Sequence, residues 1–357
     1  MTPWTKYNAE PALIGSSPHH FGPAWLKNRL SHSLAAVKAA SILNPVYREE
    51  MAAEDGTAPL DESFAETIDL LGRTFQRYAV TNGIYFAPID EDEISRLELM
   101  HSVLSMVFDD RLIFPPVHAP ERILDCGCGA GDWAIEVAEH FPESEVLGID
   151  ISPHMIPEDL PNNLEIQIDD LNGRFTFPTD HFDVVHSRLM AGGIHSNRWR
   201  SYVQDIFRVL KPGGWCQMVE VYFNAQSDNG TLEEDNALSR WSSLYLESMH
   251  PRKDPRAALQ LPGWMRNAGF TEVESRLLTL PMCGWSNVPR DSAIGTANTE
   301  NVAQLLYSMA VYPVTQWTGT SAQDFGAMVE EASAEASNAS FKAYFPLYVC
   351  IGRKPQR

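Results

Sequence analysis

The chain has 357 residues, of which 44% are hydrophobic and 21% charged, the proportions of a globular protein able to bury a core. Its 47 Asp and Glu against 27 Lys and Arg leave a formal charge of −20, which disfavours nucleic-acid backbones and anionic membranes as partners. No apolar run reaches the ~18 residues of a membrane span. Met1–His20 holds Pro3, Pro11 and Pro18 and lacks the apolar stretch of a secretory signal. Five cysteines, an odd number in a long chain, argue for reduced thiols and a cytoplasmic location.

In chain order, residues 1–30 read as an irregular arm, 31–53 as a helix and 54–60 as a loop. Helical character resumes at Asp61 and runs to about Tyr78, before the turn signal Asn82-Gly83. Asp90 to Phe108 is the clearest helix of this half. Asp90 and Glu93 have capping-box spacing, and Ile94, Leu97, His101, Leu104 and Phe108 form one apolar stripe. Pro115 and Pro116 close the region. No strand is expected before residue 121, so residues 1–116 are predicted to be an arm and an α-helical cap.

From Glu121 short apolar runs alternate with helices, the pattern of parallel βαβ units in a doubly wound α/β sheet. Strands are expected at 122–126, 145–150, 164–169, 182–188 and 215–222, with helices at 131–141 and 202–210. Further strands follow at 272–280 and 344–352. Helical insertions are expected at about 226–250 and 285–340, with another helix at 255–268. Residues 117–357 thus read as the second domain.

The strongest local signal is Ile123-Leu124-Asp125-Cys126-Gly127-Cys128-Gly129-Ala130-Gly131, a strand entering a glycine turn that opens a helix. Glycines permit unusual dihedrals and a close approach of ligand to backbone, and the helix start offers free N–H groups. Dinucleotide sites want Gly-x-Gly-x-x-Gly, but position 132 is Asp; no Gly-Lys-Ser/Thr follows, so a P-loop is excluded. Asp150 ends the second strand about 20 residues on, where a ribose diol is held in such folds. The third strand ends in Asp169-Asp170-Leu171. Phe182-Asp183-Val184-Val185-His186 and Leu210-Lys211-Pro212-Gly213-Gly214 follow.

These pieces, in this order, resemble the motifs of class I S-adenosylmethionine (SAM)-dependent methyltransferases. Tyr78–Pro88, Asp90–Leu97, His101, Asp132–Ile135, Val184–Arg188 and Tyr348–Pro355 narrow the resemblance to fungal secondary-metabolism methyltransferases related to the LaeA-type regulator. The resemblance covers about residues 70–225 plus the last strand. It implies a Rossmann-like seven-stranded sheet, SAM as cofactor and S-adenosylhomocysteine as product. It also implies an adenine contact from an acidic residue after the third strand, a place Asp170 fits better than Asp169. The cofactor residues so expected are Asp125, Gly127, Cys128, Gly129, Gly131, Trp133, Asp150, Ile151, Asp169, Asp170, Leu171 and His186. Tyr78 and Tyr85 are candidates to cover the cofactor from the cap.

Methyl transfer needs alignment of donor and acceptor, and a base only where the acceptor carries a proton. His195, His186 and Arg188 follow strand four and Glu220 ends strand five; His195 is the preferred base, since imidazole titrates near neutrality. The competing readings are a core histidine for His186, a structural acceptor for Glu220 and an ion-pair partner for Arg188. Met190, Trp199, Trp241, Trp285 and Trp317 are candidates for an apolar acceptor pocket or for core. No metal is expected, because Cys126-x-Cys128 has no partners at zinc spacing. The predicted activity is methylation of oxygen or nitrogen on a small secondary metabolite. The alternatives are a LaeA-type regulator acting through protein partners and a methyltransferase-fold enzyme catalysing a rearrangement. A monomer and a homodimer are equally compatible.

Overall fold

The computed structural model describes residues 58–356 and the two-residue strand β1 (Lys38–Ala39). The expected arm of 1–30, helix of 31–53 and first part of the loop lie outside the described residues, β1 apart. After β2 (Ala58–Pro59) the expected helix from Asp61 is replaced by a one-turn 3-10 helix and a hairpin, β3 (Thr67–Leu70) and β4 (Arg73–Gln76). The local sequence explains the correction. Leu71 and Gly72 both take positive φ, 52° and 78°, the two-residue turn whose twist suits a hairpin, and β-branched Thr67, Ile68 and Thr74 suit the pleat. The hairpin runs into the short helix α1 (Arg77–Thr81).

α2 (Glu91–Phe108) begins as expected, with Asp90 Oδ1 accepting from Glu93 N–H. Glu93 does not reach back to complete a capping box. It is fully buried and grips Arg96 with both oxygens, at 2.7 and 2.9 Å. The single apolar stripe is also corrected. Met100, Val103 and Val107 are buried as well, because α2 has partners on more than one side.

The sheet then forms from β5 (Arg122–Cys126), β6 (Glu145–Asp150), β7 (Leu164–Ile168), β8 (Phe182–Arg188) and β9 (Leu210–Val221), all parallel. β12 (Ala343–Arg353) runs antiparallel between β9 and β11 (Thr271–Pro281). The core order is β7-β6-β5-β8-β9-β12-β11, the class I methyltransferase order, with β1 and β2 beyond β7 and the short β10 (Gln226–Ser227) against β12. Ile123, Leu124, Ile149, Val184 and Val185 are wholly buried, as strands covered on both faces require. α3 (Asp132–His140) covers β5 to β7 on one face. α4 (Trp199–Val209) and α6 (Ala257–Ala268) pack with the sheet in a second cluster.

α5 (Ala237–Met249), α7 (Pro289–Ser308), α8 (Val311–Trp317) and α9 (Ala322–Ser337) supply the expected helical additions. They share one apolar cluster with Phe75, Val80, Phe86 and α2 from the N-terminal half. Cap and insertions are therefore one packed layer over the β9 and β12 side of the sheet. The strand order reverses between β5 and β8, and in open α/β sheets ligands bind at that switch point, beyond the C-terminal strand ends.

Candidate active site

A cavity of about 890 Å³ opens at the switch point. Its floor is the glycine loop. Gly127 and Cys128 N–H both donate to Ile149 O, at 2.8 and 2.9 Å, which binds the loop to the end of β6. Gly127 sits at φ 74°, and a side chain there would run into the thioether of Met190. Asp150, at the end of β6, accepts from Gly129 N–H and Ser152 N–H, both at 2.9 Å. Burial pushes its carboxyl above the ordinary value against the pull of these N–H groups. Two bonds leave lone pairs of the carboxylate open to hydroxyl donors.

One end of the cavity is formed by Ile151, Met155, Asp169, Asp170, Leu171 and Asn172. Asp170 Oδ1 accepts from the backbone N–H and the side-chain amide of Asn172, at 2.9 and 2.8 Å, while Asp169 Oδ1 accepts from Asp170 N–H. Asp169 and Asp170 both reach the wall. Tyr85 and Ile84 come from the loop between α1 and α2, Leu97 and Met100 from α2 itself, and Arg188, Leu189 and Met190 from the end of β8.

Of the residues singled out in the sequence, Tyr85, Gly127, Cys128, Gly129, Asp150, Ile151, Asp169, Asp170, Leu171, Arg188 and Met190 line this one cavity. The others stand elsewhere. Gly131 caps α3. Asp125 is buried within β5, where burial raises its carboxyl to about 7. Tyr78 packs against Phe64, the tilted rings' centroids 4.3 Å apart. Trp133 and His186 stack on each other at 3.9 Å behind the cavity. Glu220 accepts from Met190 and Ala191 N–H, at 2.7 and 3.2 Å, and so shapes the turn after β8. His195 bonds Gly83 O through Nε2 at 3.0 Å.

Sequence reasoning missed Leu97, Met100, Met155, Asn172 and Lys253. Asn172 ties β7's end to the segment after β8, through Gly193 O and His195 N–H. Lys253 is fully buried and donates to Ile84 O at 2.7 Å and Gly193 O at 2.9 Å. Among the described residues no cluster of His, Cys, Asp and Glu is placed to hold a metal.

The residues fit SAM as a ligand: a side-chain-free glycine floor, a carboxylate at the second strand end, two more at the third, and apolar side chains between them. Strand order, glycine loop and Asp150 together define a class I methyltransferase. Residues 100–275 match the methyltransferase-domain family. The chain is 31% identical over 280 residues to the secondary metabolism regulator laeA of Monascus pilosus, covering 76% of this chain and 74% of that one. It is 30% identical over 292 residues to the secondary metabolism regulator LAE1 of Cochliobolus heterostrophus, covering 77% and 91%. A relative from Emericella nidulans, named protein-methionine methyltransferase laeA, is 28% identical over 296 residues, covering 80% and 76%. The chain belongs to the LaeA family of methyltransferases.

Proposed function

We propose that the cavity binds SAM and that the protein transfers its methyl group to a small-molecule oxygen or nitrogen acceptor. The observation that carries the cofactor reading is the meeting of the glycine loop, Asp150 and Asp169/Asp170 around one cavity. SAM supplies an electrophilic methyl carbon on a sulfonium. Asp150 accepts hydrogen bonds from the ribose, and Asp169 or Asp170 from the adenine amino group. The 83–89 loop and Met190 exclude water, and the rigid strand ends hold the geometry that in-line displacement needs. Calorimetry with S-adenosylhomocysteine tests this. Asp150→Ala should weaken binding about 10- to 100-fold, the worth of charge-assisted hydrogen bonds; unchanged affinity would remove the assignment. Methyl-labelled SAM incubated with fungal extracts and the protein should yield a labelled small molecule.

A second acceptor, a methionine thioether of a protein, is favoured by one observation. Among the described residues no imidazole stands on the cavity wall, whereas Met100, Met155 and Met190 do. A thioether has no proton to lose and needs no base. The printed name of the Emericella nidulans relative describes such an activity for that protein. Mass spectrometry of protein fractions after labelling separates the two acceptors.

A further inference from the structure

Arg188 is the one strong cation on the cavity wall among the described residues. It ends β8, half-buried, and no described carboxylate forms an ion pair with it. Its Nη1 and Nη2 both approach a single acceptor, His101 Nδ1, at 3.3 Å. Since Nδ1 accepts, the His101 proton sits on Nε2, which donates to Glu136 at 2.8 Å. One lone pair shared between two N–H groups leaves most of the five-donor guanidinium fork unused.

Behind Arg188 lies a smaller cavity of about 310 Å³, lined in part by His101, Leu104, Trp133 and His186. His186 Nδ1 accepts from Gln217, and its Nε2 is buried with no partner among the described residues. Burial holds both imidazoles well below their ordinary pKa. The guanidinium is thus backed by neutral rings, with the Glu136 carboxylate beyond His101 acting on it electrostatically. Negative charge lies to the side as well. Asp132, the first residue of α3, lines the same cavity, and Asp125 sits on the neighbouring strand; both act electrostatically on Arg188. A guanidinium fork beside the Asp132 carboxylate on one wall matches neither a bare anion nor a bare cation. It matches a zwitterion.

We infer that Arg188 is the receptor for the α-carboxylate of the cofactor's amino-acid end, with Asp132 on the same wall for its ammonium. This rests on the SAM reading above and gives that reading a direction. The amino-acid end lies toward α2 and β8, the nucleoside end toward Asp169–Asn172. Arg188 is then a positioning and specificity residue rather than an acid or base. Its fork pairs two oxygens at once, which fixes the orientation as well as the affinity of a carboxylate.

The test compares S-adenosylhomocysteine with 5′-methylthioadenosine, which keeps the nucleoside and thioether but has no amino acid. Both are titrated by calorimetry into wild type, Arg188→Gln and Arg188→Lys. Wild type should prefer the homocysteine ligand. Arg188→Gln should weaken that ligand roughly 10- to 100-fold, leave methylthioadenosine within about threefold, and so erase the preference. Arg188→Lys, which keeps charge without the fork, should retain part of it. Methylthioadenosine binding reports that each variant is folded; where the Gln variant fails to fold, the preference shown by the Lys variant decides. Equal weakening of both ligands, or an unchanged preference, overturns the assignment of Arg188 while the SAM reading stands. Binding of neither ligand to wild type overturns both.

Discussion

Gly127 is required twice over, by its backbone angle and by the Met190 side chain that fills the space above it. Gly127→Ala should cost about 1–3 kcal/mol of stability through strain. It should also weaken S-adenosylhomocysteine binding, because Met190 must move into the cavity to make room. Thermal melts and calorimetry check the two effects separately. Glu220 makes a second prediction at this scale. Buried beneath the turn after β8, its carboxyl is pushed up to about 8 from an ordinary 4.5. The folded protein therefore keeps a proton that the unfolded chain has lost between those values. Stability from this group is complete below about 4.5 and declines as pH rises toward 8. Glu220→Gln cannot titrate. The stability of wild type relative to this variant should fall with rising pH, by at most about 1.4 kcal/mol per unit, on top of a constant offset from one lost N–H acceptor. A pH-independent difference in denaturant midpoint would refute the assignment.

At the level of elements, α2 is held to α7 by a buried polar cluster. Glu93 and Arg96 form a bidentate pair less than 5% exposed, and Arg96 donates onward to Asn301 at 3.2 Å. Asn301 bonds Asn298, which reaches Pro281 O at the end of β11. Removing one partner of such a pair strands the other charge. Arg96→Ala should cost about 3–5 kcal/mol, whereas the double replacement Glu93→Leu with Arg96→Met should be near neutral, as chemical denaturation will show. This pair also explains what the sequence concealed. A Glu three residues after an Asp cap is a capping-box signal, and nothing within α2 reveals that a helix some 200 residues later buries it. Strands β5 to β9 were legible because both-face burial writes continuous apolar runs. The β3–β4 hairpin was not, since its polar, half-exposed residues lack any helix-breaking Pro and only Leu71-Gly72 marks the turn. In the site, the glycine loop, Asp150 and Asp170 were legible because each is a strand-end residue read in local context. Leu97, Met100 and Asn172 were not, because their roles depend on where distant segments meet.

For the molecule as a whole, the cavity is closed by contacts between chain segments far apart in sequence. The 83–89 loop carries Ile84 and Tyr85 onto the wall, yet the bonds that hold it come from elsewhere: His195 to Gly83 O and Lys253 to Ile84 O. Lys253 also bonds Gly193 O, so one ammonium joins the loop before α2, the turn after β8 and the segment between α5 and α6. Full burial lowers its pKa to about 7 from 10.5, a cost a chain carries only where the bonds matter to the arrangement. Phe86 packs the same loop against Trp317 and Tyr312 of α8, ring centroids 4.4 and 5.8 Å away, which joins loop and insertion layer. Lys253→Met keeps the volume of the stem and removes both bonds, leaving two buried carbonyls without their donor. The loop should then open more often while the sheet stays intact. Hydrogen exchange should quicken across 83–89 and around 193–195 and remain unchanged in β5, β6 and β12. S-adenosylhomocysteine should dissociate faster from the variant, with the loss in affinity residing in the off-rate. Exchange that quickens throughout the sheet would make Lys253 a general stabiliser, and unaltered exchange in 83–89 would show that His195 and the Phe86 packing suffice to hold the loop shut.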